Sequence, residues 1–324
     1  MLYNHNQILI IGGYMHIKKS LVHRQLIALK KRGHLSFKTI NYLKQLNLGH
    51  DGEVSFANIF DSIMTDYCET IHDFRFILDG SERQIDTIAI FNDSILIFEI
   101  KNHQGNQVFH NGSFYSYKTK KELKSPLRQV NDIAHKFSEL LYSIDQRIPI
   151  HSYVVYMNRN FQLYNLPLKE PIIMYSQLNN FLHDLKVQQT LVKPHVQILK
   201  NQITHLNDEI PRYCDVEYTF ESLNKEIFCE NDGAKLIPNG LEKYVCRSCG
   251  AFYQQKDVAC QLVEDFKALF PDEKVTLNSL YEFSGKKISH YKLQKVLNAY
   301  YKKIGVRRGS YYVDRDSHND NLVN

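Results

Sequence analysis

Asp86 and the triplet Glu99-Ile100-Lys101 sit on two apolar runs separated only by Asn92-Asp93. Residues 83–91 and 94–101 are rich in β-branched side chains, and the polar pair between them suits a two-residue hairpin loop. With that loop, facing residue numbers sum to 185 and Asp86 lies directly opposite Glu99. Side chains alternate along a strand, so Asp86, Glu99 and Lys101 share one face while Ile100 points to the other. Opposed carboxylates with β-carbons roughly 5 Å apart repel one another. A divalent cation held by oxygen ligands offsets that repulsion. Mg²⁺ in such a place, with Lys101 orienting or deprotonating a water or neutralising charge on a phosphate, is the outline of metal-assisted phosphodiester hydrolysis. The alternative is the solvent face of an ordinary amphipathic hairpin. Ile88, Ile90, Ile95 and Ile97 lie on that same face and argue for burial, although a loop of odd length would break the opposition.

Two further elements must position other polar groups. Gly49-His50-Asp51-Gly52-Glu53 opens a helical pattern that continues through Val54, Ala57, Phe60 and Ile63, which places Glu53 in or near a first turn. An acid there also fits a plain solvated role at the positive end of a helix. Ser125-Pro126 reads as N-cap and first residue of a second helix, with Leu127, Val130, Ala134, Phe137 and Leu141 on its apolar stripe. Gln129 lies beside that stripe, where a polar residue is most often on the surface.

Gly49-x-x-Gly52-Glu53, Gln84-Ile85-Asp86, Glu99-Ile100-Lys101-Asn102 followed by Gly105, and Pro126-Leu127-Arg128-Gln129 together resemble the successive motifs of the nuclease-related domain (NERD) family of the PD-(D/E)xK nuclease superfamily. The resemblance covers roughly residues 45 to 160. It implies that Glu53, Asp86 and Glu99 surround a Mg²⁺ (or Mn²⁺), that Lys101 is the catalytic lysine, and that Gln129 supports the site or the substrate. It also implies a restriction-endonuclease-like α/β fold, a mixed sheet flanked by helices. The chain has no Trp, so Tyr115 or Tyr117 is expected to fill the aromatic place after the Glu-x-Lys strand.

The 324 residues are 43% apolar and 23% charged, with a net charge of +5, which fits two or three globular domains and a polyanionic partner. No apolar segment approaches the ~18 residues needed to span a bilayer, so a soluble, cytoplasmic protein without membrane attachment is expected. Residues 1–44 read as an N-terminal helical extension broken at Gly33. Residues 1–14 are either an extension preceding a start at Met15 or an edge strand. The nuclease-like domain is expected over 45–210, a zinc-ribbon-like segment over 211–258, a basic helical module over 259–315 and a disordered tail over 316–324.

Five of six cysteines, Cys214, Cys229, Cys246, Cys249 and Cys260, fall within 47 residues. Without an export signal they point to metal rather than disulfides. Cys246-Arg247-Ser248-Cys249-Gly250 is a zinc-knuckle turn, whereas Cys229-Glu230-Asn231-Asp232-Gly233 carries Asp in place of a second thiol. Asp232, Cys214 or Cys260 could complete a structural zinc site with Cys229, Cys246 and Cys249. A ribbon that has lost its metal is the other reading.

From Gly285 to Arg308 there are eight Lys or Arg residues and no acid. A short helix near Leu277, a basic helix capped by Ser289 and a basic strand pair resemble a winged-helix-like module. Its Lys286, Lys287, Lys292, Lys295, Arg307 and Arg308 would meet phosphates without sequence choice, although a basic helix face is also commonly just solvated. The reading is a metal-dependent nuclease acting on nucleic acid, DNA or RNA. The alternatives are a non-catalytic nucleic-acid-binding adaptor that kept the fold, and a nuclease-fold domain with another partner.

Overall fold

In the computed structural model, residues 8–11, 14–33, 35–208, 210–306 and 309–315 are described. They divide into two compact units, Met1–Lys18 with Gln45–Ile210, and Lys19–Lys44 with Pro211–Asn324. Arg307, Arg308 and the expected tail 316–324 lie outside the described residues. In chain order the elements are β1 (Ile8–Ile11), β2 (Tyr14–Ile17), α1 (Leu21–Arg32), α2 (Phe37–Met64), β3 (Glu69–Leu78), β4 (Ser81–Ile90), β5 (Ile95–Lys101), β6 (Gln107–His110), β7 (Ser113–Ser116) and β8 (Glu122–Leu123). There follow α3 (Pro126–Tyr142), β9 (Ile150–Tyr156), β10 (Leu163–Tyr164), β11 (Ile172–Met174), α4 (Tyr175–Gln188) and α5 (Pro194–His205). The second unit adds β12 (Leu236–Pro238), β13 (Lys243–Cys246), β14 (Phe252–Gln254), α6 (Gln255–Leu269), α7 (Leu277–Phe283), α8 (His290–Tyr300), β15 (Tyr301–Ile304) and β16 (Tyr311–Asp314).

The first unit is built on a five-stranded mixed sheet in the order β11-β9-β5-β4-β3. Strands β3, β4 and β5 are antiparallel, while β9 and β11 run parallel to β5. The β4–β5 hairpin has the expected register, with Ile90 facing Ile95 and Ile88 facing Ile97. Phe91 N–H closes the loop onto the Ser94 carbonyl at 2.9 Å. Ile88, Ile97, Val130, Phe137, Val196 and Ile203 pack together where α3 and α5 cover one face. Phe56, Phe60, Phe98, Leu178 and Leu182 pack where α2 and α4 cover the other. Helix α3 begins as expected, with Ser125 Oγ accepting from Arg128 N and Pro126 in the first turn. Pro194 opens α5 rather than interrupting a longer helix.

Between β5 and α3 the chain forms β6, β7 and β8, and β10, after β9, pairs parallel to β6 to complete a second sheet in the order β10-β6-β7-β8. Its β6–β7 hairpin turns on Asn111 and Gly112, both left-handed at φ 49° and 79°. Phe114, rather than Tyr115 or Tyr117, supplies the fully buried aromatic here, packed edge-on against Phe109.

Helix α2 corrects the placement of Glu53. The helix does not open at Gly49 but runs 28 residues from Phe37, so Glu53 is an interior residue far from any helix end. The glycines that suggested a boundary have another cause. A β-carbon on Gly52 would sit 2.7 Å from Asn102 Cβ, immediately after β5, and Asn102 Nδ2 donates to the Leu48 carbonyl at 2.8 Å. Glycine here permits close approach of helix and strand end, at the usual cost in helix propensity.

In the second unit one hydrophobic core takes in Ala28 and Leu29 of α1, Leu236 and Tyr244 of the ribbon sheet, and Leu262, Phe266, Phe283, Leu293 and Leu297 of the C-terminal helices. Helix α1, the ribbon and the basic module therefore fold around a shared interior. Arg32, fully buried, is held 3.2 Å from Asp265, donates to the Glu226 carbonyl at 2.9 Å and lies 3.8 Å over the Phe283 ring. The order α6, a Val275–Tyr312 bridge, α7, α8 and the antiparallel β15–β16 pair is winged-helix-like.

The two glycines of α2 should respond oppositely to alanine. Gly52→Ala must displace Asn102 and is expected to lower unfolding free energy by about 1–3 kcal/mol. Gly49→Ala meets nothing within 4 Å and should be neutral or stabilise by up to about 1 kcal/mol. Urea denaturation of both variants checks the pair.

Candidate active site

Strands β4 and β5 and the first turn of α3 bring four of the expected residues together. Asp86 and Glu99 are 9% and 5% exposed, so neither is on a solvated face. The strand ladder ends at Thr87–Phe98, one pair short of them. In place of the next ladder pair, Asp86 Oδ2 accepts from the Ile100 backbone N–H at 2.7 Å. Glu99 Oε1 lies 2.5 Å from Lys101 Nζ and accepts from Gln129 Nε2 at 2.7 Å. Gln129 Oε1 in turn accepts from Lys101 Nζ at 3.2 Å. Gln129 is thus exposed yet fully engaged, using both ends of its amide to fix the lysine and the glutamate.

Glu53 enters the same electrostatic field from α2. Burial, then the Asp73 carboxylate, raise its pKa to about 7; Glu99 adds to the rise, while Arg75 and Lys101 oppose it. Asp86 is pushed well above the ordinary aspartate range by burial, then by Glu99 and Glu53, against the Ile100 N–H and Lys101. The group is therefore richer in acid than in base, and Glu53 and Asp86 are raised because burial and neighbouring carboxyls disfavour their charged forms.

Sequence reasoning passed over Asp73 and Arg75 on β3. Asp73 is buried, has φ of 51°, and interrupts the β3–β4 ladder between His72–Thr87 and Phe74–Ile85, the place that would otherwise face Asp86. A left-handed aspartate inside a strand is strained and has no periodic signature. Arg75 lies 3.0 Å from Asp73 and 3.1 Å from Glu82. Behind them, His72 links Asp61 of α2 at 3.1 Å to Thr87 of β4 at 3.0 Å, tying the helix that carries Glu53 to the strand that carries Asp86.

In the ribbon, Cys229, Asp232, Cys246 and Cys249 present ligand atoms all within 4.8 Å of one another. The two knuckles are near copies. Cys229 N donates to Ala234 O and Cys246 N to Ala251 O; Gly233 and Gly250 are both left-handed and donate to Cys229 O and Cys246 O. Asp232 accepts from Ala234 N–H at 3.0 Å, which with Ser248 depresses its pKa, and Ala251 N–H chiefly depresses that of Cys249. Asp232 therefore stands in the place of a fourth thiol. Cys214 and Cys260 are outside this cluster.

The expected nucleic-acid-binding lysines of the C-terminal module are largely engaged. Lys286 pairs with Glu282 at 3.5 Å, Lys287 with Glu226 at 3.8 Å and Lys295 with Glu242 at 3.6 Å, while Lys292 donates to the Leu241 carbonyl.

A mixed sheet with a carboxylate, Glu-x-Lys and glutamine constellation at one strand end defines a nuclease-like α/β fold. Residues 48–157, roughly a third of the chain, match the model of the nuclease-related domain family, NERD, so the chain carries a nuclease-related domain. All five expected site residues fall within the match. Protein VC1899 from Vibrio cholerae, known from a crystal structure, is similar at 13% identity and a TM-score of 0.25 over 52% of this chain; the match spans 49% of that protein. Comparison with curated proteins gives no match. Among the described residues no helix is long and apolar enough to cross a membrane.

The raised carboxyl of Glu53 gives a pH-dependent stability of definite sign. The folded state binds the extra proton, so its contribution is complete below about pH 4.5 and is lost as pH rises through about 7. In metal-free buffer Glu53→Gln should be more stable than wild type at about pH 8, by on the order of 2 kcal/mol, and the difference should close towards about pH 5. Thermal melts across that range test it.

Proposed function

We propose that the chain is a divalent-metal-dependent nuclease that hydrolyses phosphodiester bonds in DNA or RNA. The observation that carries this reading is the coupling of Glu99 to both Lys101 and Gln129 within 3 Å, in a field shared with the protonation-prone Asp86 and Glu53. An excess of buried carboxyl oxygen suits a hard cation such as Mg²⁺ or Mn²⁺, and Glu53, Asp86 and Glu99 are the groups that would hold it. Such an ion supplies an activated water and charge stabilisation on the phosphate. Lys101 Nζ, held by two acceptors, is placed to orient a water or to neutralise charge as it develops on the scissile phosphate. Gln129 keeps that ammonium and the Glu99 carboxylate in register. Ile100 N–H fixes the rotamer of Asp86 so that the acid does not wander.

Zinc fits the ribbon cluster as a closed, structural ion held by Cys229, Asp232, Cys246 and Cys249. The winged-helix-like module, through Lys286, Lys287, Lys292, Lys295, Arg307 and Arg308, adds phosphate contacts, since exposed ion pairs like those around it are weak and exchange readily. Six free cysteines suit a reducing, cytoplasmic setting.

Cleavage of labelled single- and double-stranded DNA and RNA with Mg²⁺ or Mn²⁺ tests the main reading. Asp86→Ala and Lys101→Ala should each reduce the rate by about 100-fold or more. No cleavage of any substrate, with binding retained, would replace it by a non-catalytic adaptor. For the ribbon, metal analysis of purified protein should find zinc, and Cys246→Ser should lose it and lower the melting temperature; unchanged zinc content in that variant would sink the assignment.

A further inference from the structure

The chain between Lys101 and Gln129 leaves the candidate active site and returns to it, because these two residues hydrogen bond to each other at 3.2 Å. What lies between is β6, β7 and β8, which β10 joins from further along the chain to complete the small sheet β10-β6-β7-β8. Its β7–β8 connection has the sequence Tyr117-Lys118-Thr119-Lys120-Lys121, followed by Glu122 and, after Leu123, Lys124. All four lysines are exposed, and none takes part in an ion pair among the described residues. That contrasts with Lys286, Lys287 and Lys295 of the C-terminal module, each of which meets an acid. Here Glu122 is the only acid in the segment.

Aromatic surface accompanies this charge. Tyr117 and Tyr164 are 50% and 42% exposed, with ring centroids 5.2 Å apart, and Lys120 Nζ lies 4.4 Å from the Tyr117 centroid. Both rings are firmly mounted. Tyr117 N–H donates to the Asn106 carbonyl at 2.9 Å, and the Asn106 amide donates to Tyr164 Oη at 3.4 Å. The next step towards the site is Gln107, which accepts from the hydroxyl of Tyr156, the residue that faces Lys101 in the β5–β9 ladder. Exposed tyrosines on a rigid mount lose little freedom when a flat ring stacks on them. Unspent lysines beside them attract a backbone of phosphates.

We infer that the β7–β8 tip and Tyr164 form a stacking platform for unpaired bases, a binding surface for single-stranded nucleic acid bordering the active site. A duplex keeps its bases stacked internally and cannot use the rings, so the surface selects single strands or frayed ends. The inference deepens the nuclease reading but is measured by binding, so a chain that binds in this way and cuts nothing would keep the platform and remove the nuclease.

The test uses full-length protein carrying Lys101→Ala, so that nothing is cut, and fluorescence anisotropy with labelled oligothymidylate and with a duplex of equal length. The single strand should bind more tightly. Tyr117→Ala should weaken it about tenfold while Tyr117→Phe does not. Replacing Lys118, Lys120, Lys121 and Lys124 by Ala should make the dependence of log affinity on log salt shallower by between about 2 and 3. Equal affinity for duplex, displacement by polyaspartate as readily as by the single strand, or an unchanged affinity in Tyr117→Ala would overturn the platform.

Discussion

Three buried or half-buried carboxyls sharing one ammonium is the constraint around which the first unit is organised. Left alone, Glu53, Asp86 and Glu99 would push one another apart or draw in water. They are held because the strands beneath them are almost wholly apolar: Ile88, Ile90, Ile95 and Ile97 are at most 1% exposed. Burial of that surface is the favourable term against which the charge repulsion is set. The polar contacts then divide the labour. Ile100 N–H, Lys101 and Gln129 each stabilise a carboxylate, while the raised values of Glu53 and Asp86 show that stabilisation is incomplete.

The helix that delivers Glu53 is located by two devices on the same side of the sheet. One is the tight approach of Gly52 to Asn102; the other is the Asp61–His72–Thr87 chain. They lie on either side of Glu53 along α2. Two anchors on a single helix set its translation and rotation together, which one anchor could not do. A glutamate in the interior of a helix so fixed can reach a strand end without a flexible loop.

What was legible in the sequence follows from how local the signals are. The β4–β5 register could be read because strict alternation and a two-residue loop leave little freedom, and the start of α3 because Ser125-Pro126 supplies its N-cap and first residue, whereas a role for Gln129 came only from the family resemblance. The start of α2 was misread because Gly49 and Gly52 look like punctuation when only the chain is considered; their reason is Asn102, distant in sequence. Strand β3 went unread for a related cause. His72 is a polar residue in a buried strand whose partners, Asp61 of α2 and Thr87 of β4, give no periodic signal, and Asp73 and Arg75 pair with each other within β3 at a break in its ladder. In the ribbon the reverse holds. The two knuckles repeat at a separation of seventeen residues, so the substitution of Asp232 for a thiol is visible at once, and the backbone bonds only place it among the other ligands.

Charge runs are the case in which sequence and structure weigh the same residues differently. The run from Gly285 to Arg308 holds more basic residues and is free of acids within itself, yet it draws Glu226 and Glu242 from the ribbon portion of the same unit. The lysines after Tyr117 form a shorter run and contain an acid in their midst, but among the described residues no acid from elsewhere pairs with them. Local composition reports how many charges a segment carries; only the tertiary structure decides how many remain free to act on a partner. An exposed pair such as Lys295–Glu242 costs little to break, so the C-terminal face retains an electrostatic pull at longer range. The tip of the β7–β8 hairpin differs in kind, because its charge stands beside two aromatic rings whose flat faces can stack on an unpaired base and not on one held inside a duplex.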